Sequence, residues 1–551
     1  MLRAVSTASL DELLAQDSGS IPDLVHRHAI ERPGHTALIA GDDRLDFAGL
    51  DALVNRVAAA LQRDGVGPGG AVAIAAAASI PYVATYLGTV RAGAKIAPLQ
   101  PSVTPDSLAA MIGDAGASHV FLDAAVGRTL ATASRPVTAA RVALERSETG
   151  GGDPDGFAGG AGGRAPRGID GADAGQAFTA WLAPEGAVPR PVALDPEAPF
   201  NLIYSSGTTG TPKGIVHSHR MRWAHIRRGG MFGYGPDAIT LVSTPPYSNT
   251  TLVSLLPSVV LGGTTVVMPR FDVAEFLRLA GRHRVTHAML VPVQYERILR
   301  HDAFDRADLS SFRMKFCTSA PFPAALKAEV LRRWPGGLVE YFGMTEGGGT
   351  CILVAHQFPD KLHTVGRPSD GHDIRILDDA GRELPPGEVG EIVGHSPLSM
   401  MIGYHGRPAE TAAVEWRDAA GKRFIRTGDL GRFDADGFLT IVGRKKDVII
   451  SGGFNIHPVD LEAALTAHAA VAEAAVVGVP SARWGETPVG FVVLAPGAAA
   501  DPEALRAFAN ARLGSTQRLA AVEIVPALPR SPIGKVLKRE LRDTYSGPAR
   551  G

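Results

Sequence analysis

The chain has 551 residues, 45% hydrophobic and 20% charged, with 55 basic and 56 acidic side chains and a net charge of −1. That length and composition fit a globular enzyme of more than one domain, and the balanced charge removes the electrostatic case for nucleic acid or an anionic membrane as partner. Two cysteines, Cys317 and Cys351, exclude a disulfide framework and a cysteine-rich metal site, and they suit a reducing, cytoplasmic compartment.

The first residues, MLRAVSTASLDELLAQ, carry early acidic side chains and no apolar core of signal-peptide length. Two long uncharged stretches, 65–90 and 238–269, are broken by Pro81, Pro245, Pro246, Pro257 and Gly262-Gly263. Neither is therefore read as a membrane span. A strand over 71–76 and a helix from about Ile80 account for the first. Further strand-like runs fall at 119–122, 264–268, 288–291, 314–318 and 338–341, alternating with helical patterns. This alternation predicts an α/β fold with largely parallel sheets. Residues 150–175 are crowded with Gly, Ala, Asp and Arg without periodicity and read as a flexible surface insertion. From Asp373 the texture changes to short strands with turns at Asp379-Ala380-Gly381 and Pro385-Pro386-Gly387. Residues 458–551 supply a helix at 458–468, strands at 474–479 and 489–493, a helix at 502–512 and a last strand near 522–525.

The chemistry is concentrated in short stretches. Tyr204 to Gly214 reads YSSGTTGTPKG between two strand-like runs. Glycines there let backbone N–H groups converge on an anion, hydroxyls add donors, and Lys213 adds a point charge. It is not a Walker loop, because Pro212 and Gly214 stand where that motif needs Gly and Ser/Thr. Further on come YFGMTE (341–346), RTGD (426–429), GRKKD (443–447), SGGFNI (451–456) and LPRSPIGK (528–535).

In this order, these stretches resemble the adenylate-forming superfamily of acyl- and aryl-CoA ligases, carrier-loading adenylation domains and firefly-type luciferases. The resemblance implies a large N-terminal domain (1–442) of two α/β subdomains plus a distorted β-barrel. A hinge (443–447) and a small mobile α+β C-terminal domain (448–551) would follow. It implies that Ser205, Ser206, Gly207, Thr208, Thr209, Gly210 and Lys213 cradle the phosphates of ATP. By the same resemblance Phe342 stacks on adenine, Thr345 contacts the α-phosphate and Glu346 holds Mg²⁺. A carboxylate with two acceptor oxygens suits a cis-diol, the role implied for Asp429 on the ribose, with Arg444 beside it. Lys446 stands at the hinge, and Lys535 matches the catalytic lysine. Gly452 and Gly453 would line the pantetheine tunnel and Trp484 would meet the CoA nucleotide. The acyl pocket would be formed by Tyr247, Ser248, Asn249, Ser319, Ala320, Gly343, Gly347 and Gly348, with the glycines leaving room for a ring or a tail.

Two departures qualify the substrate. Ser248 stands where many CoA ligases carry histidine, and no aspartate is present to bind an amino acid's ammonium group. Thr516-Gln517-Arg518-Leu519 replaces an aromatic-Lys-x-Pro stretch near the CoA site. The function implied is an ATP-dependent carboxylate–CoA ligase acting through an acyl-adenylate on an aromatic, alicyclic or short- to medium-chain acid. A stand-alone enzyme loading an acyl-carrier protein is the alternative.

Overall fold

Apolar runs such as Ala71–Ala75 and Thr264–Val267 are buried along their whole length, as strands covered on both faces must be. In this computed structural model, which describes residues 9–144, 175–205, 212–514, 517–531 and 534–545, they belong to two large sheets. In the eight-stranded sheet, Ala71–Ala75 lies between Lys95–Pro98 and Ala117–Leu122, all parallel. The antiparallel pair Pro199–Ser205 and Lys213–Ser218 follows toward one edge, where Gly403–Tyr404 closes the sheet. The nine-stranded sheet sets Ile239–Val242, His287–Leu290, Met314–Cys317 and Gly337–Phe342 side by side and parallel. The strands expected in these two sheets are present within a residue or two at their ends, whereas those expected at 474–479 and 489–493 belong to longer strands, Val471–Ser481 and Gly485–Leu494.

Helices cover these sheets with their apolar faces. Phe47–Arg63 buries Leu50, Val54, Val57 and Leu61, the period of an amphipathic helix. It packs on Ile80–Arg91 at Gly88, where a Cβ would come within 2.5 Å of Val57. That contact seats the largest apolar cluster between the sheets.

The change of texture at Asp373 marks the start of a five-stranded antiparallel sheet of Asp373–Leu377, Gly390–His395, Arg423–Phe433, Glu415–Arg417 and Leu439–Arg444, where the barrel was expected. A short 3-10 turn, Lys445–Asp447, leads to the fourth sheet. There Val471–Ser481 and Gly485–Leu494 form a long hairpin, with Ala521–Ile524 parallel to its second strand. The helices Pro458–Thr466 and Pro502–Asn510 close a separate apolar cluster around Leu461, Leu465 and Leu505. The expected insertion at 150–175 lies, but for Gly175, outside the described residues. Among those described, no helix is long and apolar enough to cross a membrane.

Candidate functional site

The loop residues Ser206, Gly207, Thr208, Thr209 and Gly210 lie outside the described residues. The strands on either side fix where the loop starts and ends, with Ser205 opposite Lys213 in register. The Lys213 ammonium sits 5.4 Å above the Tyr404 ring. Tyr404 is held by pairing with Ile215, and its hydroxyl donates to Glu346 Oε1 at 2.9 Å. It thus couples Lys213 to Glu346, a role that no motif in the sequence marks. The second Glu346 oxygen has no hydrogen-bond partner among the described residues. One free carboxylate oxygen, linked through Tyr404 to Lys213, fits Mg²⁺, which takes few protein ligands and completes its shell with phosphate and water.

Thr345 is positioned from beneath. Its carbonyl accepts from His217 Nε2 at 2.7 Å, while Arg222 donates to His217 Nδ1 at 2.8 Å. The guanidinium therefore fixes the tautomer with the proton on Nε2. Burial holds this imidazole well below its ordinary pKa, and Arg222 adds to the effect. Phe342 ends the strand Gly337–Phe342, half-buried against the cluster of Cys351, Ile376, Ile392 and Leu439.

Asp429 and Arg444 face each other across an antiparallel pair and form an ion pair at 2.7 Å. Burial pushes the Asp429 carboxyl up, while Arg444 and Lys535 pull it down. Lys535 enters this cleft from the small domain. The preceding Gly534 has φ of +78°, and a Cβ there would lie 2.9 Å from Val293 of the nine-stranded-sheet region. Glycine is what lets this loop dock. Lost hydration lowers the Lys535 ammonium, Arg444 adds to this, and Asp429 and Glu346 oppose it. Lys535 thus feels the charges of Glu346 and of the Asp429–Arg444 ion pair. The loop is braced by an ion pair of Arg530 with Glu473 and by Arg530 donating to the Gly534 carbonyl at 2.8 Å.

The other candidate residues of the small domain lie elsewhere. Gly452 donates its N–H to the Trp484 carbonyl at 2.8 Å, and its φ of +59° needs no Cβ near the indole. Gly453 follows in the same turn. This is the Ser481–Gly485 end of the hairpin, whereas Glu473 pairs with Val493 near the other end. Eight residues of strand between Glu473 and Ser481 span roughly 25 Å. Around the turn, Ile450, Phe454 and Trp484 are 57%, 56% and 43% exposed. Lys446 is exposed in the 3-10 turn between the third and fourth sheets.

Of the acyl-pocket candidates, Tyr247, Ser248 and Asn249 are consecutive and Ser319 meets Thr250 just beyond them. Tyr247 is half-buried, and burial pushes its phenol up to about 12. Ser248 is the N-cap of the helix Asn249–Val260, accepting from Thr250 N at 3.2 Å. Capping accounts for a serine here and leaves its hydroxyl proton and one lone pair for a ligand. Asn249 Oδ1 accepts from Arg222 at 2.8 Å, so Arg222 orients it. Ser319, at φ of +83°, meets Thr250 hydroxyl to hydroxyl at 2.5 Å, with Ala320 half-buried beside it. Gly343 is exposed at the end of its strand. The expectation that side-chain space at Gly347 and Gly348 opens into the acyl slot does not hold. A Cβ at 347 would meet the Ser399 carbonyl at 2.1 Å, and one at 348 would meet Ile425 at 2.7 Å and the Gly394 carbonyl at 2.9 Å. These glycines let the backbone press against the third sheet.

Sequence reading also missed the helix His219–Met231. Its Arg222, His225 and Arg228 recur every third residue, a spacing that brings them to one side of a helix. His225 and Arg228 line a cavity of about 10 Å³ with Tyr234, Val253, Phe316 and Tyr341. Tyr341 is the neighbour of Phe342, and Val253 lies one turn beyond Asn249.

The profile of the AMP-binding enzyme family matches residues 25–405, and that of the AMP-binding enzyme C-terminal domain matches 460–535. A feruloyl-CoA synthase from Amycolatopsis sp is 34% identical over 94% of this chain and 98% of its own length. The fatty acid–[acyl-carrier-protein] ligase ScoC from Streptomyces coeruleorubidus is 31% identical over 94% and 95%. The ATP-bound structure of MatB from Rhodopseudomonas palustris superposes with a TM-score of 0.80 at 26% identity, covering 96% of this chain and 100% of that one.

Proposed function

The chain belongs to the AMP-binding enzyme family, and from that premise we propose an ATP-dependent carboxylate–CoA ligase acting on a flat, ring-bearing acid. The observation that carries the proposal is the convergence of Lys535, Glu346, Asp429 and Arg444 in one cleft. In the first half-reaction a substrate carboxylate oxygen attacks the α-phosphorus of ATP. The bond to the β-phosphate bridging oxygen breaks and pyrophosphate leaves, giving an acyl-adenylate. Lys535 places its charge where the α-phosphate gains negative charge. Thr345, held by His217, bonds the same phosphate, while Lys213 and the loop from Ser205 to Gly210 hold the others. Phe342 stacks on the base. Asp429 receives the ribose hydroxyls with Arg444 keeping it ionised. Mg²⁺ held at Glu346 would neutralise phosphate charge.

In the second half-reaction a thiol sulfur attacks the acyl carbon, AMP leaves and the thiol proton is released. Lys535 and the Gly452-Gly453 turn lie at opposite ends of the small domain's hairpin, so one cleft takes them in turn only if that domain rotates. Lys446 is the pivot in this reading, separating an AMP-binding domain (1–442) from a mobile one (448–551). Support for a ring comes from the walls beyond Asn249. Tyr234 stacks on Phe316 with ring centroids 5.5 Å apart, and Phe316 on Tyr341 at 5.8 Å. The similarity to a feruloyl-CoA synthase points the same way.

A second reading, a carrier-protein thiol as acceptor, is favoured by the exposed Ile450, Phe454 and Trp484 around the glycine turn and by the similarity to ScoC. Pyrophosphate release measured over a panel of carboxylic acids, with CoA, with phosphopantetheinylated carrier protein and with neither, tests both. Release with no acid of the panel defeats the ligase reading, and thioester formed with carrier alone replaces CoA as acceptor.

A further inference from the structure

Beyond the acyl-pocket residues already described, the helix His219–Met231 carries two guanidiniums, Arg222 buried and Arg228 half-buried, that no carboxylate answers among the described residues. Arg222 is fully buried and is held by neutral acceptors only: Asn201 Oδ1 at 2.7 Å, Asn249 Oδ1 at 2.8 Å, His217 Nδ1 at 2.8 Å and His225 Nδ1 at 3.3 Å. Arg228 lies 5.2 Å above the Tyr341 ring and donates one weak bond to Thr350 Oγ1 at 3.3 Å. Among the described residues neither guanidinium forms an ion pair. The imidazoles close by do not balance them. Burial together with Arg228 and Arg222 holds His225 well below its ordinary pKa, and burial and Arg228 lower His372 to about 4. Buried charge without a counter-ion is costly, so two guanidiniums among neutral groups form a site short of one negative charge.

The place of that deficit is specific. Arg228, His225 and Tyr341 line the same small cavity, whose other wall is the stacked pair Tyr234 and Phe316. About 10 Å³ is the room of one oxygen atom or one water. One of the cavity's walls, Val253, lies one helical turn past Asn249 of the acyl-pocket candidates, and another, Tyr341, directly precedes Phe342. Resting on the ligase reading above, we propose that the acid substrate carries a second anionic oxygen, a carboxylate or an ionised phenol, at the end remote from the activated carboxyl, and that Arg228 with His225 reads it. A guanidinium is suited to this because it stays charged and its bond to a single anionic oxygen is charge-assisted. Arg222, already saturated, supplies background charge and holds Asn249 in place.

The test uses two pairs of equal shape that differ in distal charge, terephthalate against 4-carbamoylbenzoate and adipate against its monoamide, and a third, 4-hydroxycinnamate against cinnamate, that differs in an ionisable distal oxygen. Pyrophosphate release gives kcat/KM for each pair, and calorimetry without ATP gives binding of each acid, so the second readout needs no turnover. Wild-type enzyme is expected to favour the charged member of at least one pair by about 10²-fold. Arg228→Gln should reduce that ratio to within about fivefold of unity, and Arg228→Lys, which keeps the charge, should retain most of it. A melting curve for each variant separates misfolding from lost selectivity, and the ratio within one variant is insensitive to the fraction folded. Charged acids that bind in an Arg228-dependent way without releasing pyrophosphate would leave this inference standing and defeat the ligase reading. Equal use of charged and uncharged members by wild-type enzyme, a ratio unchanged in Arg228→Gln, or no binding of any charged acid would each overturn it. The carboxylate and phenol arms show which anion the site takes.

Discussion

Replacing Lys535 with alanine separates the two half-reactions. Its ammonium is aimed at a cleft already holding Glu346, Asp429 and Arg444, and it is brought there by Gly534 docking on Val293. Removing one preorganised donor to a charge-developing oxygen costs roughly 10²–10³ in rate, about 2.7–4 kcal/mol. Acyl-adenylate formation, followed as single-turnover pyrophosphate release with an acid from the screen, should fall by that amount. Thioester formation from supplied acyl-adenylate and CoA should change by less than about twofold, because the Gly452–Trp484 turn lies roughly 25 Å along the hairpin from the Lys535 loop. A pH profile adds an independent check. The ammonium's pKa is lowered from 10.5, by lost hydration first and by Arg444 next. Its cationic form, the one proposed to act, is therefore lost on the alkaline side earlier than an ordinary lysine's. Because kcat/KM reports groups of the free enzyme, the alkaline limb for adenylation should lie below pH 10.5 and move upward in Lys535→Arg, whose guanidinium stays charged. Equal loss in both half-reactions, or an alkaline limb that Lys535→Arg leaves in place, would refute the assignment.

Glu346→Gln keeps the shape and removes the charge, so the Mg²⁺ concentration for half-maximal adenylation should rise at least about tenfold. Tyr404→Phe, which only frees one carboxylate oxygen, should shift it less, and a titration unchanged in Glu346→Gln would show that this carboxylate is not the ligand. Lys446→Pro fixes φ near −65° and restricts its neighbour. Near-normal single-turnover pyrophosphate release with a thioester step slowed at least about tenfold is expected if the domain turns there, and unchanged steady-state ligation counts against that pivot. Gly348→Leu places a side chain against Ile425 and the Gly394 carbonyl at φ of +86°. Overpacking and backbone strain together should cost about 2–6 kcal/mol, seen as a lower melting temperature and equal loss of activity with every acid. Selective loss with bulky acids at full stability would restore Gly348 to the acyl slot.

What the sequence made legible follows from how local each signal is. The strands Ala71–Ala75, Thr264–Val267 and Met314–Cys317 were readable because a strand buried on both faces must be apolar throughout. The motif residues Thr345, Glu346, Asp429, Arg444 and Lys535 were readable because each sits in a short stretch whose glycines and prolines fix its backbone. Tyr404 was not, because its meaning depends on two partners, Lys213 and Glu346, that are far away in sequence and meet only when Gly403–Tyr404 adds to the edge of the first sheet. The glycines at 347 and 348 were misread for a related reason. A glycine run announces close backbone approach without saying to what, and here the neighbour is the third sheet. Ser248 shows the opposite hazard, since a residue compared with a ligase histidine turns out to be capping its own helix.

The same consideration bears on where specificity resides. Adenylation and thiol transfer are served by residues on loops at strand ends, which local motifs describe. In the proposal made above, recognition of the acid falls to the helix His219–Met231 and to the facing walls of the nine-stranded sheet. No motif marks these, but their composition carries a signal. A helix whose Arg222, His225 and Arg228 recur every third residue would ordinarily show that charge to solvent. Here Arg222 and His225 are buried and Arg228 is half-buried over Tyr341, against a sheet core of Phe316 and Tyr341. Such a helix is stable only if neutral acceptors or a ligand receive its donors. Asn201, Asn249 and His217 do so for Arg222. Arg228 has only Thr350 and the face of Tyr341, and the donors it leaves unsatisfied are where the chemistry of the substrate is written.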